Sequence, residues 1–106
     1  MATGRLGHAD LAAGTNTSLY TVPANTFGIV TLSICNRGNS AISVRVAVAS
    51  AGTPALSEYV EYDVEVLAKG VLERSGIALA AGQILVVYSS AVNVSAVAMG
   101  IETSTA

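Results

Sequence analysis

The chain has 106 residues, the length of one domain with a single core, and its charged residues amount to only 11% against about 25% in an average soluble domain. With a formal net charge of −2 and no Lys/Arg cluster, it lacks the positive field on which nucleic-acid binding depends. Although 52% of the residues are hydrophobic, no run approaches the roughly 18 apolar residues of a membrane helix, so neither nucleic acid nor membrane is an expected partner.

So few charges leave a surface rich in Ala, Ser, Thr, Asn and Gly. Such a surface is weakly hydrated and loses little when another protein covers it, which points to extensive interface. The start of the chain has no apolar core of the secretory-signal kind, so synthesis in a cytoplasm is expected.

In chain order, residues 1–10 carry Gly4, Arg5, Leu6, Gly7 and His8 without periodicity and read as an N-terminal arm. Arg5 and Leu6 would give it one charge and one apolar anchor against a partner. The domain proper is expected over 11–102. Leu11-Ala12-Ala13-Gly14 leads to a short strand at Ser18 to Val22, which Pro23 ends. From Phe27 to Ser50 two runs alternate with a period of two: Val30, Leu32 and Ile34, then Ile42, Val44, Val46 and Val48. Between them lies Asn36-Arg37-Gly38-Asn39-Ser40, rich in turn-forming residues, and the pattern predicts an antiparallel hairpin with Arg37 at its tip as a partner contact.

The next alternation, Tyr59 to Val66, is the most regular. Val60, Tyr62, Val64 and Val66 share one face, and Glu61, Asp63 and Glu65 the other. Val71 to Ser75 reads as a strand continuing through Ile77 and Leu79. Leu79-Ala80-Ala81-Gly82 echoes the earlier Leu-Ala-Ala-Gly and reads as an equivalent corner. Gln83 to Tyr88 is nearly continuous apolar sequence, Val92 to Glu102 alternates loosely with small residues, and 103–106 reads as a frayed tail. Seven to eight short strands at intervals of about ten residues, with no helical periodicity, predict an all-β fold: an antiparallel β-sandwich of jelly-roll or Ig-like type. Its core should include Val30, Leu32, Ile34, Val44, Val46, Val48, Val60, Tyr62 and Val64.

Little here points to chemistry. One cysteine, Cys35, and one histidine, His8, set far apart, supply neither an activated nucleophile nor a zinc site. Cys35 suits a half-buried filler on a strand. The acids at 61, 63 and 65 are spaced by about 6.6–7 Å of strand rise, within the range of glycosidase carboxylate pairs, yet any strand with alternating acids produces that spacing. They read better as a docking stripe. Asn16-Thr17-Ser18 and Asn93-Val94-Ser95 match the glycosylation pattern by chance. No catalytic, cofactor-binding or metal-binding residue is assigned, and no enzyme activity is expected.

Taken together, Leu19-Tyr20-Thr21-Val22-Pro23-Ala24, Ile34-Cys35-Asn36-Arg37-Gly38, Tyr59-Val60-Glu61-Tyr62-Asp63 and Leu79-Ala80-Ala81-Gly82 before Val86-Val87-Tyr88 resemble the pattern of small β-sandwich virion structural proteins of tailed bacteriophages. The likeness spans about 11–102, and Gln83 stands where such proteins often carry Asp. It implies a non-enzymatic virion protein, made in the host bacterial cytoplasm. By its size it resembles capsid cement or decoration proteins, which sit on the outer capsid surface and bridge major capsid protein subunits. Itself as dimer or trimer and the major capsid protein are the implied partners, with Arg5, Leu6, Arg37, Glu61, Asp63 and Glu65 as candidate contacts. The alternative is a tail, neck or fibre adhesin module that binds a host-surface glycan.

Overall fold

The computed structural model describes residues 3–105, which form eight strands: β1 (Thr3–Leu11), β2 (Thr15–Thr21), β3 (Thr26–Asn36), β4 (Ile42–Ala49), β5 (Tyr59–Val66), β6 (Val71–Leu79), β7 (Ile84–Ser89) and β8 (Val94–Ser104). A single turn of 3-10 helix, Leu56–Glu58, precedes β5. There Glu58 accepts from the backbone N–H of Ala55 (2.8 Å) and of Ser50 (3.2 Å), which holds its carboxyl below the usual carboxylate range.

The strands make two antiparallel sheets of four, a first sheet in the order β1-β8-β3-β6 and a second in the order β2-β7-β4-β5. The expected β-sandwich is therefore present, and its strand order is that of a jelly roll rather than an Ig domain. Among the eight strands only β4 and β5 follow one another within a sheet; every other connection crosses the sandwich.

That winding corrects the expected hairpin. β3 lies between β8 and β6 in the first sheet, while β4 lies between β7 and β5 in the second, so residues 37–41 form an arch over one end of the sandwich. A period of two specifies which side of a strand is buried, not which sheet the strand joins. Both runs do line the core: Val30, Leu32 and Ile34 face Ile42, Val44 and Val46, all at 6% exposure or less.

Asn36 holds the arch. Its side chain is wholly buried, with Nδ2 donating to the carbonyls of Ser40 (2.8 Å), Val66 (3.2 Å) and Leu67 (3.2 Å) and Oδ1 accepting from the N–H of Gly38 (2.9 Å). One carboxamide thus joins the end of β3, the arch and the β5–β6 turn.

The expected arm is instead an edge strand. Residues 3–11 pair with β8 from Thr3↔Ile101 to Leu11↔Val94, and a bulge between Arg5 and Gly7 breaks the period that would have revealed it. Likewise Thr103 and Ser104 belong to β8, and the N–H of Thr105 donates to Asn25 O (2.9 Å). Met1 and Ala2 of that arm and Ala106 of the tail lie outside the described residues.

The Leu-Ala-Ala-Gly echo does mark equivalent corners. Leu11 and Leu79 end β1 and β6, buried at 2% and 1%, and Gly14 and Gly82 turn the chain at φ 67° and 81° into the paired strands β2 and β7. The two corners sit at opposite ends of that pair.

Two core expectations need correction: Val60 and Tyr62 are 39% and 50% exposed. β5 carries two register shifts against β4, so that Val44↔Val64 is followed by Val46↔Glu61 and Ala47↔Tyr59, with Asp63 at φ 53°. Each extra residue reverses strand parity, leaving Val64 and Val66 inward and turning Tyr62 out. Val48 and Val64 are half-buried against the core.

Tyr20 is buried, and its hydroxyl donates to Glu102 Oε2; burial first, and that bond second, hold the phenol well above its usual range. A folded-state pKa raised above the unfolded value of about 10 means stability that is complete below pH 10 and lost as pH rises beyond it. The urea midpoint should therefore fall between about pH 10 and 11.5, and fall less in Tyr20→Phe; equal slopes in the two proteins would refute the assignment. Replacing Asn36 by Ala strands the buried carbonyl of Val66 and should cost about 1–3 kcal/mol in denaturant unfolding. Asn36→Asp, which sets a carboxylate against three carbonyl oxygens, should cost more at pH 7, and an Asn36→Asp protein as stable as the parent would exclude the keystone role.

Candidate functional site

The strand registers order the outer face of the first sheet into rows. Asp10, Ser95, Cys35 and Val71 form one; His8, Val97, Ser33 and Glu73 the next; then Arg5, Met99 and Thr31; then Thr3, Ile101, Ile29 and Ala78; and finally Thr103 and Phe27. Over the last three rows the centre of the sheet is a strip of large apolar side chains: Phe27 (38% exposed), Ile29 (45%), Met99 (38%) and Ile101 (49%). It comes from two matching triplets, Phe27-Gly28-Ile29 on β3 and Met99-Gly100-Ile101 on β8. In both, the glycine is the inward residue and the bulky neighbours point out, a pattern in the sequence that could have revealed the strip.

At the other end of this face a shallow depression of about 250 Å³ is lined by Arg5, His8, Asp10 and Arg37 over Ser95 and Val97. Arg37 is ion-paired with Asp10, and its carbonyl accepts from Lys69 Nζ at 2.8 Å. The structure thus brings together Arg5 and Arg37, which lie far apart in sequence. Leu6 goes the other way: as the residue inside the β1 bulge it is half-buried against the core, which helps fix the edge strand.

The acids predicted as one stripe do not form one. The β5 bulges send Glu61 toward the open edge of the sandwich, where its carboxylate meets Arg74 of β6 at 2.8 Å and ties one sheet to the other. Asp63 lies on the outer face of the second sheet, paired with Arg45 at 2.6 Å, and Glu65 is exposed opposite Ser43. Cys35 is half-buried on its strand, as its position suggested. Among the described residues no three His, Cys, Asp or Glu side chains converge as a metal-ligand set.

Sequence reasoning missed the centre of the second sheet's outer face. The Arg45 guanidinium lies over the rings of both Tyr62 (4.4 Å) and Tyr88 (4.6 Å), while Tyr59 meets Tyr62 edge-on at 5.0 Å and 84°. The Asp63 hydrogen bond, the largest influence, together with the charge of Asp63 raises the pKa of Arg45 further. Around the cluster, Ala47, Ala49 and Val86 are buried beneath Tyr59 and Ile84. The guanidinium is held by planar stacking and a fixed fork, so the three rings and one ion pair form a preorganised patch. Its signal was hidden, because Tyr62 reads as a core residue until the bulges are known.

Arg45→Ala should lower the melting temperature less than Asn36→Ala does, and Arg45→Lys should behave like Arg45→Ala, because an ammonium cannot stack on two rings. Full recovery of stability in Arg45→Lys, measured by calorimetry, would mean that charge alone matters here.

Compared with known proteins, the chain matches no family model, no curated protein and no solved structure.

Proposed function

We propose that this chain is a non-enzymatic structural subunit of a bacteriophage virion, a cement or decoration protein on the outer capsid surface that bridges neighbouring major capsid protein subunits. A jelly roll serves capsid and lectin proteins alike, so the fold by itself decides nothing between them. The observation that carries the proposal is that both broad faces of one thin sandwich are dressed for contact. One holds four large apolar side chains each more than a third exposed, and the other a tyrosine cluster locked around Arg45. An apolar strip left in water is unfavourable and favours any partner that covers it, at about 25 cal/mol for each Å² removed from solvent. Tyrosine and arginine are the residue types that most often carry binding energy at protein interfaces. A bridging subunit needs two such surfaces, and a low charge keeps their desolvation inexpensive.

The second reading, a tail, neck or fibre adhesin for a host-surface glycan, is favoured by Tyr59, Tyr62 and Tyr88 with Asp63 and Arg45 among them, since sugars stack on rings and bond to fixed polar groups. In the cement reading the same patch contacts the capsid.

Titrating capsids stripped of decoration with the parent and with a Tyr62→Ser, Tyr88→Ser double variant separates the two. The variant should bind at least tenfold more weakly, with copies per particle in the hundreds for the parent. Equal occupancy by both proteins, or a dozen or fewer copies, counts against the cement role, and loss of binding to purified host polysaccharide in the variant would select the adhesin.

A further inference from the structure

We infer that two copies of this chain associate face to face through the outer surface of the first sheet, about a two-fold axis that runs parallel to the strands between β8 and β3. The inference deepens the structural-subunit reading and rests on it for the dimer's purpose, while the geometry stands without it.

The apolar strip is central on this face, on the two inner strands, and the charges lie on the two edge strands. Arg5 and Asp10 are on β1, Asp10 paired with Arg37 of the arch, Glu73 is on β6, and no charge is on the outward positions of β8 or β3. Rotation about an axis along the strands exchanges β1 with β6 and β8 with β3. Ile101 of each copy then lies over Ile29 of the other, Met99 over Thr31 and Phe27 over Thr103, because these residues share rows. At the rims, Arg5 of one copy falls over the bulge of β6 at Ser75 and Gly76, one row from Glu73, within reach of a long arginine side chain. The same contact recurs on the opposite rim. A surface whose Arg5 rim meets the Glu73 rim of a second copy, with an apolar centre meeting itself, is complementary to that copy, which is what a two-fold interface demands.

The dimensions suffice. Four strands about 4.8 Å apart and some nine residues long at about 3.4 Å each cover about 600 Å² per copy, hence about 1,200 Å² for the pair, above the roughly 1,000 Å² of a specific interface. The second sheets, with their tyrosine patches, are then turned away from each other on the two outer sides of the dimer.

Sedimentation equilibrium of the purified chain between about 1 and 200 µM tests this, alongside Ile101→Glu, Arg5→Glu and the exchange Arg5→Glu with Glu73→Arg. The parent should show a monomer–dimer equilibrium. Ile101→Glu should weaken it at least 100-fold, with an unchanged circular-dichroism spectrum and cooperative melting. Arg5→Glu should weaken it severalfold, more at low salt than at high, and the exchange should restore it to within about twofold. A parent that is monomeric at 200 µM, or a trimer, overturns the inference, as does a dimer indifferent to Ile101→Glu or an exchange variant no tighter than Arg5→Glu. Should Ile101→Glu fail to fold, Met99→Lys, already on the outward parity, takes its place with the same expectation. A monomeric parent whose Ile29 and Ile101 amides gain exchange protection only on capsids would assign the face to the shell instead, leaving the capsid-bridging role intact while this dimer fails.

Discussion

The buried carboxamide of Asn36 is the constraint on which the rest of the sandwich depends. β3 and β4 are inner strands of opposite sheets, and the chain passes between them in five residues. Such an arch has no ladder of its own, so its polar groups must be satisfied locally or left to water. Asn36 accepts from the arch at Gly38 and donates to it at Ser40, and its remaining bonds go to Val66 and Leu67 at the end of β5. The backbone repeats the tie, since Asn36 N–H donates to Gly70 O at 2.9 Å and Arg37 N–H to Asn93 O at 2.8 Å. Two loops at one end of the sandwich are thereby held to one side chain, and the backbone of Arg37 adds a third, which links the sheets at that end.

Reading the residues alone located most strands to within a few positions, because burial of one face imposes a period of two wherever the ladder is regular. It failed where the ladder is irregular. Gly4, Gly7 and the bulge between them erased the signature of β1, and the left-handed Asp63 shifted β5 so that Tyr62 left the core and the acids parted company. The β3–β4 connection failed for a different reason: turn-forming residues suit a hairpin and an arch equally, and only the pairing partners β8 and β6, distant in sequence, distinguish them. Of the candidate contact residues, Arg5 and Arg37 share a surface, with Arg37 paired to Asp10, whereas Leu6 is half-buried against the core, Glu61 and Asp63 form ion pairs elsewhere and Glu65 is exposed on the second sheet.

The ion pairs illustrate how so few charges are used. Glu61 with Arg74 closes the edge where β5 and β6 face each other from different sheets, Asp10 with Arg37 ties β1 to the arch, and Asp63 with Arg45 sits amid tyrosines. Each joins segments that backbone hydrogen bonds alone would not join as firmly, or orients a side chain on a surface. Exposed pairs add little stability, so their value lies in register and orientation. The consequence is that the broad faces are left almost without free charge at their centres, which lowers the desolvation cost of covering them.

The apolar strip of the first sheet and the polar pair in the core have a common origin. Tyr20 projects from the second sheet's edge strand across the sandwich, and its ring needs room on the inner face of β3. Gly28 supplies that room: a Cβ there would come within 3.3 Å of the Tyr20 hydroxyl and 3.6 Å of its ring. Gly100, on the neighbouring strand, lies so close to β3 that a Cβ would stand 2.0 Å from Ile29 O. With both inward positions reduced to glycine, the apolar bulk of these two strand segments can only be carried outward, on Phe27, Ile29, Met99 and Ile101. Gly100 brings the backbones of β8 and β3 close beneath the strip and the Tyr20 ring occupies the space over Gly28, so those four side chains stand on a filled core. A surface held rigid by its own core loses little conformational freedom when it is covered, and for an area this small that saving decides whether association is measurable.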